Sequence, residues 1–586
     1  MELPRLAHDE LLHKLDEPRE EQLLKEVEQL GHHARILDDD HSDGQVPEVA
    51  VQVAPLDAPF KKPTGEKTPL LMAGKHVVAV DSEVDLKALG LRLNEEEHAA
   101  AMADARADSM EIITEESKLL VTLALPMMLA ALLEFLPDTL LTMMVGHVSG
   151  ENSTQILAAF SLSSLFQMLM VAGLLNGLGS AIDTVCSQAF GGKRYVELWM
   201  FTQAGLIVYL ACLPVVALAL LNGAPVLKAL GQDPQIADIA ARLLLINLLS
   251  MPFSLLFSVI KSALQAQNIV TPFVRTSIIS WIISLPIAYM LGYWTSLGYL
   301  GIALSQVVNN AVKSLALLPV LFKNQVFVDA WPGWQWGEAA KLVPRISRLG
   351  VSSVLMVTFQ MFGFSFISLL AGLLPNADIM ISANSIFAAT LILSFLPLLG
   401  ICIAGAIRIG NALGAGLARR ARLVTRVVMA ASLSVSTAGV VLSLSVAKPF
   451  AHSFTTNQQA VEVAMKLIYN LMPFIPLLGI VFGVQSVFRA CGKQFLAAQF
   501  NFVFMFLLGI PLGLAFALKF DAGLLGLWYG HFLGMVFFVL TAAVWLYRLN
   551  WEQMAHDARK NTHLHVEEPS PEASATASEA SGATNA

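Results

Sequence analysis

LPIAYMLGYWTSLGYLG (Leu285–Gly301) and IPLGLAFALKFDAGLLG (Ile510–Gly526) carry one pattern at two places in the chain. Leu285-Pro286 answers to Ile510-Pro511, and Gly298-Tyr299-Leu300-Gly301 to Gly523-Leu524-Leu525-Gly526, both at an offset of 225 residues. Ala181-Ile182 and Ala406-Ile407 share that offset. Around these landmarks twelve long apolar segments fill residues 119–548, and the second six repeat the first six. A duplicated bundle of six membrane helices, with a site between its halves, is a transporter architecture. The predicted fold is therefore an all-α polytopic membrane protein, with 12 transmembrane helices in two six-helix lobes related by pseudo-twofold symmetry.

The composition agrees. Of 586 residues 55% are hydrophobic and only 14% are charged, against about a quarter charged in ordinary soluble domains. Mean hydropathy is +0.62. Segments such as Leu119–Val145 exceed the roughly 20 apolar residues that cross a bilayer, and in hydrocarbon the backbone must bond to itself, so they are expected to be helices. Residues 1–117 read as a polar, acidic, largely disordered cytoplasmic tail. Residues 118–322 hold spans one to six, 323–341 a connecting cytoplasmic loop, 342–550 spans seven to twelve, and 551–586 a disordered carboxy-terminal tail whose composition supports no core. The start, MELPRLAHDELLHK, mixes charges and lacks the apolar stretch of a secretion signal. Trp331, Trp334 and Trp336 in the central loop suit an interfacial anchor. The four cysteines, Cys186, Cys212, Cys402 and Cys491, lie in or at the ends of spans and imply neither a disulfide frame nor a metal site.

Lysine and arginine crowd one set of loops and helix ends: Lys193, Arg194, Lys261, Arg345, Arg348, Arg419, Arg420, Arg489 and Lys493 among others. The opposite set holds Lys228, Arg242, Lys448, Lys466 and Lys519. The basic side is expected to be cytoplasmic, with both termini inside.

SAIDTVCSQAFGGKRY (Ser180–Tyr195), LQAQNIVTP (Leu264–Pro272), RIGNALGAG (Arg408–Gly416) and Met144-Val145-Gly146-His147 resemble, in order, junction motifs of the multidrug and toxic compound extrusion (MATE) family, its eukaryotic branch most closely. The resemblance spans about residues 119–550. It implies a V-shaped cavity between two lobes and antiport of organic solutes against protons or sodium. It also implies that Asp183, Gln188, Arg408, Asn411 and Arg489 are gating or structural residues of these junctions. Animal and plant members carry coupling acids in spans seven, eight and ten. The corresponding positions here are Gln360, Ala389 and Leu478.

An ionisable group inside a span is by default a functional candidate. Glu134 and Asp138 lie four apart on one face of the first span, with Pro137 between them. Two such acids facing a cavity raise each other's affinity for a proton. They are the expected ion-coupling pair: with the family's usual positions uncharged, either coupling has moved to the first lobe or the protein is not proton-driven in the family manner. Gln360, Asn384, Asn247 and Gln306 are the expected substrate-binding residues, since amides inside spans bond solutes but carry no proton. The expected activity is secondary export of amphipathic, cationic organic compounds. No cofactor, metal site, nucleic-acid contact or enzymatic constellation is implied. The expected partners are small organic solutes, a proton or sodium ion and the bilayer, with the amino-terminal tail a candidate contact for another protein. The alternatives are a flippase for lipid-linked oligosaccharides, which calls for deep cations, and a non-transporting membrane scaffold. Plasma and vacuolar membranes both fit.

Overall fold

A computed structural model describes residues 53–55, 70–73, 76–79, 102–104, 106–147, 153–229, 231–454 and 457–562. Most of the expected amino-terminal tail, and the carboxy-terminal tail after residue 562, lie outside the described residues. Residues 1–92 form one unit. In it β1 (Val53–Pro55), β2 (Leu70–Ala73) and β3 (His76–Ala79) pair antiparallel in the order β1-β3-β2, with Val53 and Leu71 both opposite Val78. The expectation of a largely disordered segment did not provide for these strands. Their apolar runs, Leu70-Leu71-Met72 and Val77-Val78, suit the pleat.

The second unit, from Leu93 onward, is helical. Its first lobe contains α1 (Ser109–Gly146), α2 (Ser153–Gln167), α3 (Gly173–Gly191), α4 (Tyr195–Leu221), α5 (Gly223–Ala229), α6 (Pro234–Leu248), α7 (Met251–Ala266), α8 (Thr271–Tyr293) and α9 (Tyr299–Phe322). The short α10 (Gln325–Ala330) leads to the second lobe: α11 (Trp336–Ala371), α12 (Ala377–Gly414), α13 (Ala418–Phe454), α14 (Gln458–Leu471), α15 (Ile475–Ala490), α16 (Gln494–Phe500), α17 (Ile510–Leu514) and α18 (Gly523–Arg548). The helix α19 (Trp551–Thr562) follows. Among the described residues ten helices, or eleven spans counting the bent pair α6–α7, are long and apolar enough to cross a membrane. The segment α2–α3, joined through a wide-turn stretch at Met168–Ala172, completes the expected twelve.

Two boundaries differ from expectation: α1 begins before residue 118, and α11 begins at Trp336, inside the segment read as a loop to residue 341. The helix α1 starts at Ser109, inside the segment read as tail. There Arg419 donates to the carbonyls of Asp104 and Ala107, at 2.6 and 2.7 Å, and to Ser109 Oγ at 2.6 Å. The central loop is equally anchored. Trp199 Nε1 donates to the Val326 carbonyl, Gln203 Nε2 to that of Gly333, and the Gln335 amide to Gln203 Oε1. Trp334 and Trp336 stack at 4.9 Å.

The duplication is visible in the backbone. Gly298 and Gly523 both have φ of 53° where the last helix of each lobe begins. Asn268 (φ 64°) answers to Gly492 (φ 68°), and Lys193 (φ 56°) to Gly416 (φ 78°). These left-handed turns favour glycine or asparagine, and each ends a long helix before the next begins.

The lobes meet along small residues. A Cβ on Gly177 would fall 2.4 Å from Val354, and one on Gly400 2.6 Å from Met128. At the basic end the contact is reciprocal. A Cβ on Gly191 would lie 1.9 Å from the Asn411 carbonyl oxygen, and one on Gly414 the same 1.9 Å from that of Gln188. A core cluster shared by both lobes seals this end, with Leu120 and Leu264 beside Ile407, Val424, Val487 and Met554.

Candidate transport site and lobe junction

Glu134 lies in the second half of α1. The Lys261 ammonium, from α7, donates to its Oε1 at 3.1 Å. Both side chains keep some exposure, 36% for Glu134 and 26% for Lys261, which puts the pair against open space rather than in sealed packing. Lys261 lies 5.6 Å from the Phe257 ring. Lys313, buried on α9, adds its positive charge to the field at Glu134. The side chain of Asp138 lies outside the described residues. Lys261 is thus not the loop-end cation that the charge pattern suggests. It sits within a helix, and with Lys313 it supplies positive charge among the first-lobe helices. Gln306 is two helical turns before Lys313, hence on the same stripe of α9.

Asp183 sits at the lobe junction. Gln265 Nε2 donates to its Oδ1 at 2.5 Å. Asp183 lines a small cavity with Ser180, Thr184 and Ser187 of the first lobe and Ile403, Ala406 and Arg489 of the second. The rest of this junction is a lattice of amides and carbonyls. Thr184 Oγ1 donates to the Arg489 carbonyl at 3.0 Å and accepts from Gln494 Nε2 at 2.9 Å, and Gln188 Nε2 donates to the Ala490 carbonyl at 2.8 Å. The Asn411 amide, oriented to satisfy both its ends, donates to the Ser187 carbonyl at 2.8 Å and faces Asn268. Gln188, Asn411, Asp183 and Arg489 are therefore brought together, each bridging or lining the contact between lobes.

Arg408 is held differently. It meets Glu116 in a bidentate pair, Nε at 3.0 Å and Nη2 at 2.8 Å. Glu116 is fully buried and also accepts from Arg420 Nε at 2.6 Å. Arg420 pairs with Glu115 as well. The carboxylate thus ties the start of the first-lobe helix α1 to two second-lobe helices. Glu116 escapes sequence reading because it lies among many acids in a segment that looks like tail.

In the second lobe, Asn384 donates to Ser368 Oγ and accepts from Trp528 Nε1, both at 2.9 Å. Gln360 is buried with its Nε2 unpartnered among the described residues, as are both ring nitrogens of buried His531 and the Oδ1 of Asn501. His531 packs edge-on against Trp528 and beside Phe364, one turn beyond Gln360. Gln360 and Asn384 are therefore both buried in the second lobe, Asn384 against Trp528, while Glu134 lies in the first. Asn247 is buried at the end of α6, beside the 52° bend into α7, away from these two groups in sequence and element.

The family model described as MatE matches residues 126–290 and 352–515, one match in each lobe. The chain is 30% identical over 455 residues to Protein DETOXIFICATION 12 of Arabidopsis thaliana, covering 77% of this chain and 93% of that protein. It is 27% identical over 464 residues to Multidrug and toxin extrusion protein 1 of Xenopus tropicalis, covering 78% of each. Among solved structures, the eukaryotic MATE transporter AtDTX14 superposes with a TM-score of 0.71 at 23% identity, covering 77% of this chain and all of that one. The duplicated lobes, the junction motifs at their meeting point and these matches together make the chain a transporter, not an enzyme, and a member of the MATE family.

Proposed function

We propose that the protein exports amphipathic organic cations in exchange for protons, using Glu134 of the first lobe, with Asp138 on the same face, as the carboxylate site of the exchange. The observation that carries this reading is the Glu134–Lys261 pair at 3.1 Å inside first-lobe helices and open to space. Gln360, Ala389 and Leu478 stand where related transporters are expected to carry acids, so the second lobe offers uncharged contacts for the solute. Gln360, Asn384 and the aromatic rings around His531 suit an apolar cation. The names of the relatives, extrusion and detoxification proteins, support export of small organic solutes. The closed basic end is the cytoplasmic one in this reading, with both termini inside and the plasma or vacuolar membrane as location.

One proton moving down a unit pH gradient supplies about 1.4 kcal/mol. Uptake of a fluorescent dye cation into proteoliposomes tests the assignment, under an imposed pH gradient or an imposed sodium gradient. The expected result is uptake with the pH gradient alone, lost in Asp138→Asn and Glu134→Gln at equal insertion. Uptake that follows only sodium removes the proton assignment, and no dye uptake under either gradient removes cation export.

A further inference from the structure

Lys261 stands between two carboxylates. On one side its ammonium donates to Glu134 Oε1 at 3.1 Å. On the other its charge acts on Asp183 of α3. One turn along α7 from Lys261, Gln265 Nε2 donates to Asp183 Oδ1 at 2.5 Å, and Ser262 Oγ donates to the Gly179 carbonyl at 3.3 Å. This turn of α7 therefore lies against the turn of α3 that carries Asp183. Asp183 in turn meets the second lobe. It lines the junction cavity together with Arg489, whose charge also acts on it and whose Nε has no hydrogen-bond partner among the described residues. Lys313 of α9 adds its own charge at Glu134. The carboxylate of the transport site and the carboxylate of the lobe junction thus share one lysine. Its side chain keeps 26% exposure, and its flexible four-carbon stem carries a point charge that can change partners.

We infer that Lys261 is a two-position switch that reports the occupancy of Glu134 to the lobe junction: it pairs with Glu134 while no cation is there and turns to Asp183 when a cation takes Glu134. An ammonium without a counter-ion among membrane helices is costly, so the displaced Lys261 keeps its charge and pairs with the second carboxylate. There it competes with Arg489 for Asp183, and the attraction across the lobes weakens. In the first position Asp183 is left to Arg489, and the basic end stays shut. An empty site is thereby tied to a closed basic end, and a cation on Glu134 to a loosened one. Exchange without leakage requires this rule, because the transporter then resets only with a counter-ion aboard. The inference rests on Glu134 as the cation site of the extrusion reading and adds Lys261 as a positioning residue of the exchange.

The test reads the junction through the rate of maleimide labelling at Ser187→Cys, a buried position of the same cavity, in the purified full chain. The chain without that cysteine serves as the blank. Glu134→Gln sends Lys261 to Asp183 without any ligand and is expected to label about tenfold faster, as one weakened ion pair between the lobes allows. Adding Lys261→Met is expected to restore the slow rate, because Asp183 returns to Arg489, and that restoration also shows an intact fold. Tetraphenylphosphonium is expected to speed labelling when Glu134 and Lys261 are both present and to leave Lys261→Met slow. A double variant as fast as Glu134→Gln, or a Glu134→Gln as slow as its parent, overturns the switch. If the variants behave as expected and tetraphenylphosphonium changes nothing, the switch stands and Glu134 falls as the organic-cation site.

Discussion

Glu116 and Glu134 are both acids of α1 near arginine or lysine, and their surroundings give them different work. Glu116 has no exposed surface and receives Arg408 in two bonds and Arg420 in a third, which is the arrangement of a fixed tie. Breaking a buried pair strands a charge at a cost of about 3–5 kcal/mol. Glu116→Ala should accordingly lower the thermal unfolding temperature in detergent, and Arg408→Lys should share much of that loss because a lysine cannot reproduce the fork. A Glu116→Ala protein as stable as wild type would remove this tie from the account. Glu134 has one lysine at 3.1 Å and open space beside it, which leaves room for exchange. Gln360, by contrast, should contribute binding without coupling. Gln360→Ala should weaken cation affinity by roughly fivefold, the worth of about 1 kcal/mol for one amide hydrogen bond, with the response to pH retained. A changed proton dependence in that variant would contradict the assignment. Glu134 was legible because carboxylates are scarce in the spans. Lys261 was not, because it stands five residues before the end of α7 and reads equally well as a snorkelling, loop-end cation.

The helix ends show the same division between what spacing reveals and what only packing reveals. The glycines of the two junction motifs are visible in the sequence as turn residues. Their reciprocal crossing is not, since it depends on which carbonyl each glycine faces: Gly191 on Asn411, Gly414 on Gln188. These partners are related by an offset of 223, whereas the landmarks Gly298 and Gly523 keep the offset of 225. With a Cβ only 1.9 Å from a carbonyl oxygen, Gly414→Ala cannot keep the lobes at their present distance. The expected outcome is faster maleimide labelling at the junction, read at a Ser187→Cys position, and an unchanged rate would mean that the closure does not depend on this contact. The helix α19 is the other element that sequence left blank, since the region after residue 550 reads as disordered tail. Met554, Ala555 and Ala558 are buried in the shared core, Arg559 packs against Gly416, and Arg194 of the first lobe bonds to Thr562 and to the Arg559 carbonyl. This short helix thus braces both lobes at the basic end. Ala558→Glu should lift it and raise the rate of trypsin cleavage at Arg559 and Lys560, while an unaltered rate would show that α19 does not depend on this face.

At the scale of the whole molecule, the duplication sets the fold and the departures from it set the chemistry. Twelve spans, two lobes and their order were readable because the membrane enforces long apolar helices and because the repeat marks equivalent places. The bend between α6 and α7 and the wide-turn stretch at Met168–Ala172 were not readable, since a run of apolar residues looks alike whether straight or broken. The two lobes differ where function is expected: charge in the first, with Glu134, Lys261 and Lys313, and uncharged amides and rings in the second, with Gln360, Asn384 and His531. That asymmetry carries the central claim, that cation export is coupled to protons through the first-lobe pair. The most direct measurement is accumulation of tetraphenylphosphonium in proteoliposomes under an imposed pH gradient at zero membrane potential, for wild type, Glu134→Asp and Glu134→Gln inserted to equal levels. One-for-one exchange predicts wild-type accumulation approaching about tenfold per pH unit, partial accumulation with the shorter carboxylate, and none with Gln. Full accumulation by Glu134→Gln would contradict the claim and place the coupling group elsewhere.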